Sequence, residues 1–244
     1  VCLVGSEMCI RDRKNSLERK LKKKKILILF LQSTYLQLNK AKYKFKLERI
    51  KKAFVCNEFG PVDIHKVEDV TEPELLDGQV LIDVKAAGVS FPEVLIVQGL
   101  YQFKPPFPFI PGGEVAGVIS KIGNGVEGYK EGDRVIAMCG NGAMAEKVAA
   151  SAASLTRLPE SMSFSEGAAF PMNYGTTIHG LKQRANLQEG ETLMVSGAAG
   201  GLGITAIHVG KAMGAKVIAT ASSEEKLEIC KQEGACLLYT SDAA

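Results

Sequence analysis

The chain has 244 residues and a formal net charge of +3, with 46% hydrophobic and 23% charged residues. That balance is ordinary for a globular protein long enough to bury a core. No apolar run reaches the roughly 18 residues that span a bilayer, so an integral membrane protein is not expected. Six cysteines at irregular spacing, with no CxxC pair, argue against a disulfide scaffold and a zinc ribbon.

The small net charge conceals a step. Residues 1–50 carry 14 Lys and Arg against 4 Asp and Glu, a net of +10, and the rest carries 16 against 23, a net of −7. The basic block holds KLKKKK (Lys20 to Lys25), ILILFL (Ile26 to Leu31) and KAKYKFK (Lys40 to Lys46). A basic run suits a nucleic-acid or anionic-membrane arm. Basic before apolar also resembles a signal peptide, although the apolar run is short and no small-residue cleavage site follows. A third reading is preferred. VCLVGSEMCIRDR at the start and CLLYTSDAA (Cys236 to Ala244) at the end look like translated sequencing adapter, and the composition of residues 14–49 is that of translated AT-rich DNA. Residues 1–50 are expected to be a non-native or disordered extension and residues 236–244 a non-native tail. The stretch between, Lys51 to Ala235, has a net charge of −6, from 16 Lys and Arg against 22 Asp and Glu. This disfavours a nucleic-acid partner for the domain itself. Cys56, Cys139 and Cys230 then remain as unpaired thiols, which suits a reducing compartment.

From Lys51 the pattern is short β runs separated by turns. KAFVCN (Lys52 to Asn57), QVLIDVKAAGVS (Gln79 to Ser90), GEVAGVISKIG (Gly113 to Gly123), GDRVIAM (Gly132 to Met138) and AMAEKVAA (Ala143 to Ala150) predict a mostly antiparallel β domain. PEVLIVQG (Pro92 to Gly99) predicts a short helix with Pro in its first turn.

The segment Glu191 to Ala235 is the most informative. Thr192 to Ser196 reads as a buried strand, and Gly197, Gly200 and Gly203 follow at once. Ile204, Ile207, Val209 and Met213 then recur near helical spacing, Lys216 to Thr220 is a second strand, and Ser222 to Glu233 a second helix. This strand–glycine turn–helix–strand context is the one a dinucleotide-binding fingerprint requires. Backbone N–H groups at the helix start attract a pyrophosphate, and glycines remove the Cβ atoms that would block it. Ala198 stands at the first position of the GxGxxG form, with Gly200 and Gly203 completing it; Gly201 and Leu202 fill the turn. No carboxylate follows the second strand until Glu224, where an NAD site would grip the ribose 2′-OH. Ser222, Ser223 and Lys226 are instead placed to receive a 2′-phosphate, so NADPH is preferred over NADH. A capping box of Ser222 with Glu225 is the structural alternative.

The order of β-rich domain, GDRV and glycine turn resembles the medium-chain dehydrogenase/reductase superfamily, in its zinc-free quinone oxidoreductase and enoyl reductase branch. The resemblance covers about Lys52 to Ala235. It rests on AAGVSFPEVLIVQGLY (Ala86 to Tyr101), PGGEVAGVI (Pro111 to Ile119), EGDRV (Glu131 to Val135) and SGAAGGLG (Ser196 to Gly203). It implies an α/β fold: a GroES-like β-rich catalytic domain over residues 51–170, then a truncated Rossmann domain over residues 171–235. Zinc-dependent members carry Cys where this chain has Ser90 and His where it has Gly113, so the resemblance implies no metal site and no zinc. Without a Lewis acid, alcohol oxidation is poorly supported.

Within the resemblance Tyr101, in Gly99-Leu100-Tyr101, matches a tyrosine proton donor of enoyl reductases; a loop-packing tyrosine is the alternative. Ser90 stands where quinone reductases often carry Asn facing the nicotinamide. Thr177, in YGTTIHGL, matches a threonine lining the nicotinamide site, or is a hydroxyl at a helix N-terminus. His65, His179 and His208 have no partner spacing, and His208 reads as structural. The expected function is reduction of a small quinone, enone or enoyl thioester with NADPH, in the cytoplasm, by a homodimer or homotetramer. The alternative is a non-catalytic NADPH-binding protein on the same fold. A doubly wound domain has six strands, and this chain supplies two; at about 30 residues per βαβ unit, roughly a hundred residues are absent. The chain alone is therefore expected to fold poorly and to be inactive.

Overall fold

The computed structural model describes residues 50–240; the basic block to residue 49 and the last four residues lie outside the described residues. Strand β1 (Ile50–Val55) pairs with β2 (Lys66–Thr71) in a two-stranded sheet. It is tied to the larger sheet region by bridges Ala53↔Ala145 and Cys56↔Phe109.

Five strands form an antiparallel sheet in the order β6–β3–β4–β5–β7: β3 (Gln79–Ala87), β4 (Glu114–Ile122), β5 (Arg134–Met138), β6 (Lys147–Ser151) and β7 (Leu155–Arg157). Its alternating apolar residues make one core, in which Val80, Ile82, Val115, Ile119 and Val135 are buried. Strands β3 and β4 approach so closely at Gly117 that a Cβ there would lie 2.3 Å from the Asp83 carbonyl oxygen. Only glycine fits that position. All five predicted β runs are strands; β2 and β7 carry no comparable signal, since β2 is mostly exposed and polar and β7 has three residues.

Helix α1 (Phe91–Val97) leaves β3 with Ser90 as N-cap and Pro92 in its first turn, as expected. Helix α2 (Phe164–Ile178) is not among the expected elements. A capping box of Ser163 with Glu166 starts it, Pro171 interrupts it, and a π-helical turn (His179–Arg184) continues it.

Strands β8 (Thr192–Val195), β9 (Lys216–Ala221) and β10 (Leu237–Thr240) form a parallel sheet in the order β10–β9–β8. Helix α3 (Gly201–Ala212) connects β8 to β9, and α4 (Glu224–Gln232) connects β9 to β10. Val195, Ala198, Ile207, Val217, Ala219 and Cys230 are buried together between sheet and helices. The stretch expected to be a non-native tail thus contributes β10, in register Leu237↔Ile218 through Thr240↔Ala221.

Helix α2 joins the two layers. Its Gly167 and Ala168 pack on Ala116, Ile136 and Leu158 of the β-rich part. Its Thr177 hydroxyl meets the Thr205 hydroxyl of α3 at 2.7 Å, both residues buried.

Candidate functional site: a glycine-lined cofactor cleft

Three glycines end β8 and open α3, for different physical reasons. Gly197 has φ +61°, the left-handed region that favours glycine. A Cβ on Gly203 would lie 2.5–2.6 Å from the Ala198 backbone, so helix and turn close on each other only without it. Gly200, the N-cap of α3, has ordinary extended backbone (φ −80°). A Cβ there would meet nothing nearer than the Gly197 carbonyl oxygen at 3.5 Å. Nothing among the described residues demands glycine at 200, and the space over it faces the cleft.

Gly200 offers no side-chain cap. The N–H groups of Gly201, Leu202 and Gly203 have no backbone acceptor among the described residues, the first being regained at Ile204, which donates to the Gly200 oxygen. Free N–H groups at a helix start are an anion site. Ala198 is fully buried, and its N–H donates to the Thr220 oxygen at 2.9 Å, which locks the turn to β9.

The turn forms one wall of a cleft of about 560 Å³. Ser196, Gly197 and Gly200 line one side, and Ala221, Ser222 and Lys226 the other. Lys226 Nζ donates to Ser222 Oγ at 3.0 Å, so a cation and a hydroxyl stand together at the end of β9. Ser223 does not share in this. The cap of α4 is Ser223, whose Oγ accepts the Lys226 N–H, and not Ser222 with Glu225. The helix starts one residue later than that pairing needs, and Ser222 is thereby released to face the cleft. Glu225 also lines it.

The proposed catalytic residues are not gathered in the same way. Ser90 donates its hydroxyl to Glu93 Oε2 at 2.5 Å. Thr177 lies one residue from the C-terminal end of α2, not at a helix N-terminus, and its hydroxyl is taken up by Thr205. Tyr101 lies half-buried in the loop between α1 and β4. No hydrogen bond links any two of these three among the described residues.

Two acids stand beside Ser90 and Gly113. Glu93 and Glu114 are both buried, and the Glu114 carboxylate accepts the Met172 N–H at 2.9 Å. Burial pushes the Glu114 carboxyl above its ordinary value, the Met172 N–H opposing and the charge of Glu93 adding to the rise. Burial pushes the Cys139 thiol up to about 11, so it keeps its proton near neutral pH. Among the described residues no three His, Cys, Asp or Glu side chains are grouped to hold a metal. Cys56, Cys139, Cys230 and Cys236 are all free thiols.

Sequence reasoning missed Glu93 and Glu114. The S-x-x-E spacing of Ser90 and Glu93 is a visible signal; the burial of both acids is not. It also missed the partners of His208, whose Nδ1 meets Tyr174 Oη at 2.7 Å and whose Nε2 meets Glu233 Oε2 at 2.5 Å. His179 bonds Gln183, and His65 packs edge-on against Phe54.

The alcohol dehydrogenase GroES-like domain family matches residues 76–160. A quinone oxidoreductase-like protein 2 homolog of Nematostella vectensis is 41% identical over 187 residues, which are 75% of this chain and 50% of the relative. The chain thus resembles the quinone oxidoreductases of the medium-chain dehydrogenase/reductase superfamily. The human quinone oxidoreductase is 38% identical over 190 residues, 77% of this chain and 58% of that protein. A solved quinone oxidoreductase from Thermus thermophilus, described with its NADPH complex, superposes with a TM-score of 0.69 at 38% identity, over 78% of this chain and 59% of that one. The chain spans about half the length of the curated relatives it matches. The fold joins a GroES-like domain to a Rossmann-like sheet, as the sequence implied. No helix among the described residues is long and apolar enough to cross a membrane.

Proposed function

We propose that this chain is the GroES-like domain, residues 51–170, and the first part of the nucleotide domain, residues 171–235, of an NADPH-dependent oxidoreductase. The parent enzyme reduces quinones or α,β-unsaturated carbonyl or enoyl substrates by hydride transfer without zinc. The observation that carries this reading is the cleft in which the glycine turn faces the Ser222–Lys226 pair. Relatives named as quinone oxidoreductases support it.

The geometry of the cleft supports this reading. The open space over Gly197 and Gly200 admits a pyrophosphate, and the Gly201, Leu202 and Gly203 N–H groups point donors at it. Ser222 and Lys226 offer a hydroxyl and a cation to a 2′-phosphate. The cofactor supplies the hydride. Ser90 and Thr177 are proposed to border the nicotinamide, and Tyr101 or water to give the proton to the acceptor. Cytoplasmic location and a homo-oligomer belong to the same proposal; the free thiols support a reducing compartment.

The test is a titration followed by an assay. The chain has no Trp, so binding is read from the nicotinamide's own fluorescence. The expected result, read on the complete protein, is saturable NADPH binding and NADPH oxidation with a quinone, an enone or an enoyl thioester. Binding with no acceptor reduced would favour a non-catalytic NADPH-binding protein. Binding of neither nicotinamide nucleotide would end the proposal.

A further inference from the structure

The glycine cleft holds one charged side chain that the cofactor reading leaves unused. Glu225 lines it, beside Ser222, Lys226 and Ile229. Residues three and four apart on a helix share a face, so positions 225, 226 and 229 bring a carboxylate, a cation and an apolar side chain of α4 to one wall. The other acids of this segment are engaged elsewhere. Glu224, the first carboxylate after β9, accepts the Thr240 hydroxyl at 3.2 Å. Glu228 meets Lys231 Nζ at 3.7 Å, and Glu233 meets His208 Nε2 at 2.5 Å. Glu225 has no hydrogen bond or ion pair among the described residues, and Lys226 reaches Ser222 rather than the carboxylate next to it.

The two charges ask for opposite things. A carboxylate has only lone pairs to offer, and an ammonium only protons. A ribose 2′-hydroxyl can give its proton to Glu225. A 2′-phosphate carries negative charge and acceptor oxygens, so it is drawn to Lys226 and repelled by Glu225. A nucleotide whose ribose sits at the Ser222–Lys226 pair therefore meets one group that favours the phosphate and one that opposes it. Glu225 also lies in the first turn of α4, where negative charge suits the helix N-terminus. Glu224 shares that place and does not line the cleft, which makes it the internal control.

We infer that Glu225 is a specificity-determining residue: it holds down the preference for a 2′-phosphate, so that the cleft admits both NADPH and NADH. The inference rests on the reading of the cleft as a nicotinamide nucleotide site and is independent of which acceptor is reduced.

The test is a fluorescence titration of the complete protein with NADPH and with NADH, in the native form and in two variants. Glu225→Gln keeps the shape of an exposed side chain and removes its charge. NADPH should then bind about fivefold tighter at low ionic strength, the scale of one exposed charge pair, and NADH no tighter. The gain should shrink in about 1 M salt, where charges are felt over only about 3 Å. Glu224→Gln removes a charge from the same helix turn and should leave the ratio of NADPH to NADH affinity unchanged. Equal NADPH affinity in the native and Glu225→Gln forms, equal tightening of both nucleotides, or the same shift from Glu224→Gln would overturn the inference. In each of those outcomes the nucleotides still bind, so the reductase reading stands. Binding of neither nucleotide by the native protein would end both.

Discussion

The Glu114 carboxylate reaches from β4 into helix α2 and accepts the Met172 N–H at 2.9 Å, one residue beyond Pro171. Proline inside a helix disturbs the ladder and clashes with the carbonyl of the turn before it. Glu114 satisfies the amide next to that break. The two parts of the fold are thus pinned at an acid that a hydrophobic pattern would not place in a core. Removing the acceptor by Glu114→Ala should cost about 2 kcal/mol, the range for leaving a buried donor unpaired, as measured by urea unfolding.

The same residue gives a pH signature. Burial raises the folded carboxyl's affinity for its proton, so its contribution favours folding below the unfolded value and is lost as pH rises through the folded one. Glu114→Gln carries no charge to bury and keeps an oxygen for Met172. Stability of this variant relative to the native chain should rise with pH through the carboxylate range and then level off. A flat difference in urea unfolding across that range would refute the assignment.

Gly200 and Gly203 should separate ligand from fold. Gly203→Ala drives a Cβ into the Ala198 backbone and should cost about 1–3 kcal/mol by overpacking. Gly200→Ala has room and ordinary backbone angles, so the unfolding midpoint should stay nearly unchanged while NADPH affinity falls. Thermal melts beside cofactor titrations check both.

How much of this was legible follows from what each feature needs. The strands around Val80–Ile82, Val115–Ile119 and Val135–Ala137 announce themselves because alternation and bounding glycines are local signals. So is the glycine turn. Helix α2 was hidden because Gly167, Pro171 and Gly175 break its periodicity, and its stability comes from packing on β4 and α3. The cap of α4 was misplaced by one residue because Ser222 and Ser223 compete for one role, which only the β9 endpoint decides. The burial of Glu93 and Glu114 was not visible, since burial of a carboxylate depends on contacts distant in sequence.

The Thr177–Thr205 contact makes a cleaner packing test. Thr177→Val leaves the Thr205 hydroxyl short of its partner at 2.7 Å and should cost about 1–2 kcal/mol. Thr205 Oγ1 still has the Leu202 oxygen at 3.0 Å, whereas the Thr177 hydroxyl has no second partner among the described residues, so Thr205→Val should cost at least as much. The double change should be less than additive in a double-mutant cycle. Full additivity would show that the hydroxyls do not interact.

Lys226 is proposed to carry the choice of cofactor. Lys226→Met keeps the stem and removes the cation beside Ser222. NADPH affinity should fall by about tenfold, the scale of one charge-assisted contact, and NADH affinity should hold. Ser223→Ala removes the α4 cap instead; it should cost about 1 kcal/mol of stability and leave the cofactor ratio alone.

The most direct measurement is a side-by-side fluorescence titration of the complete protein with NADPH and NADH. The cleft of glycine turn, Ser222 and Lys226 predicts saturable binding of both, with NADPH tighter by about tenfold. Binding of neither, or NADH bound as tightly as NADPH, would contradict it.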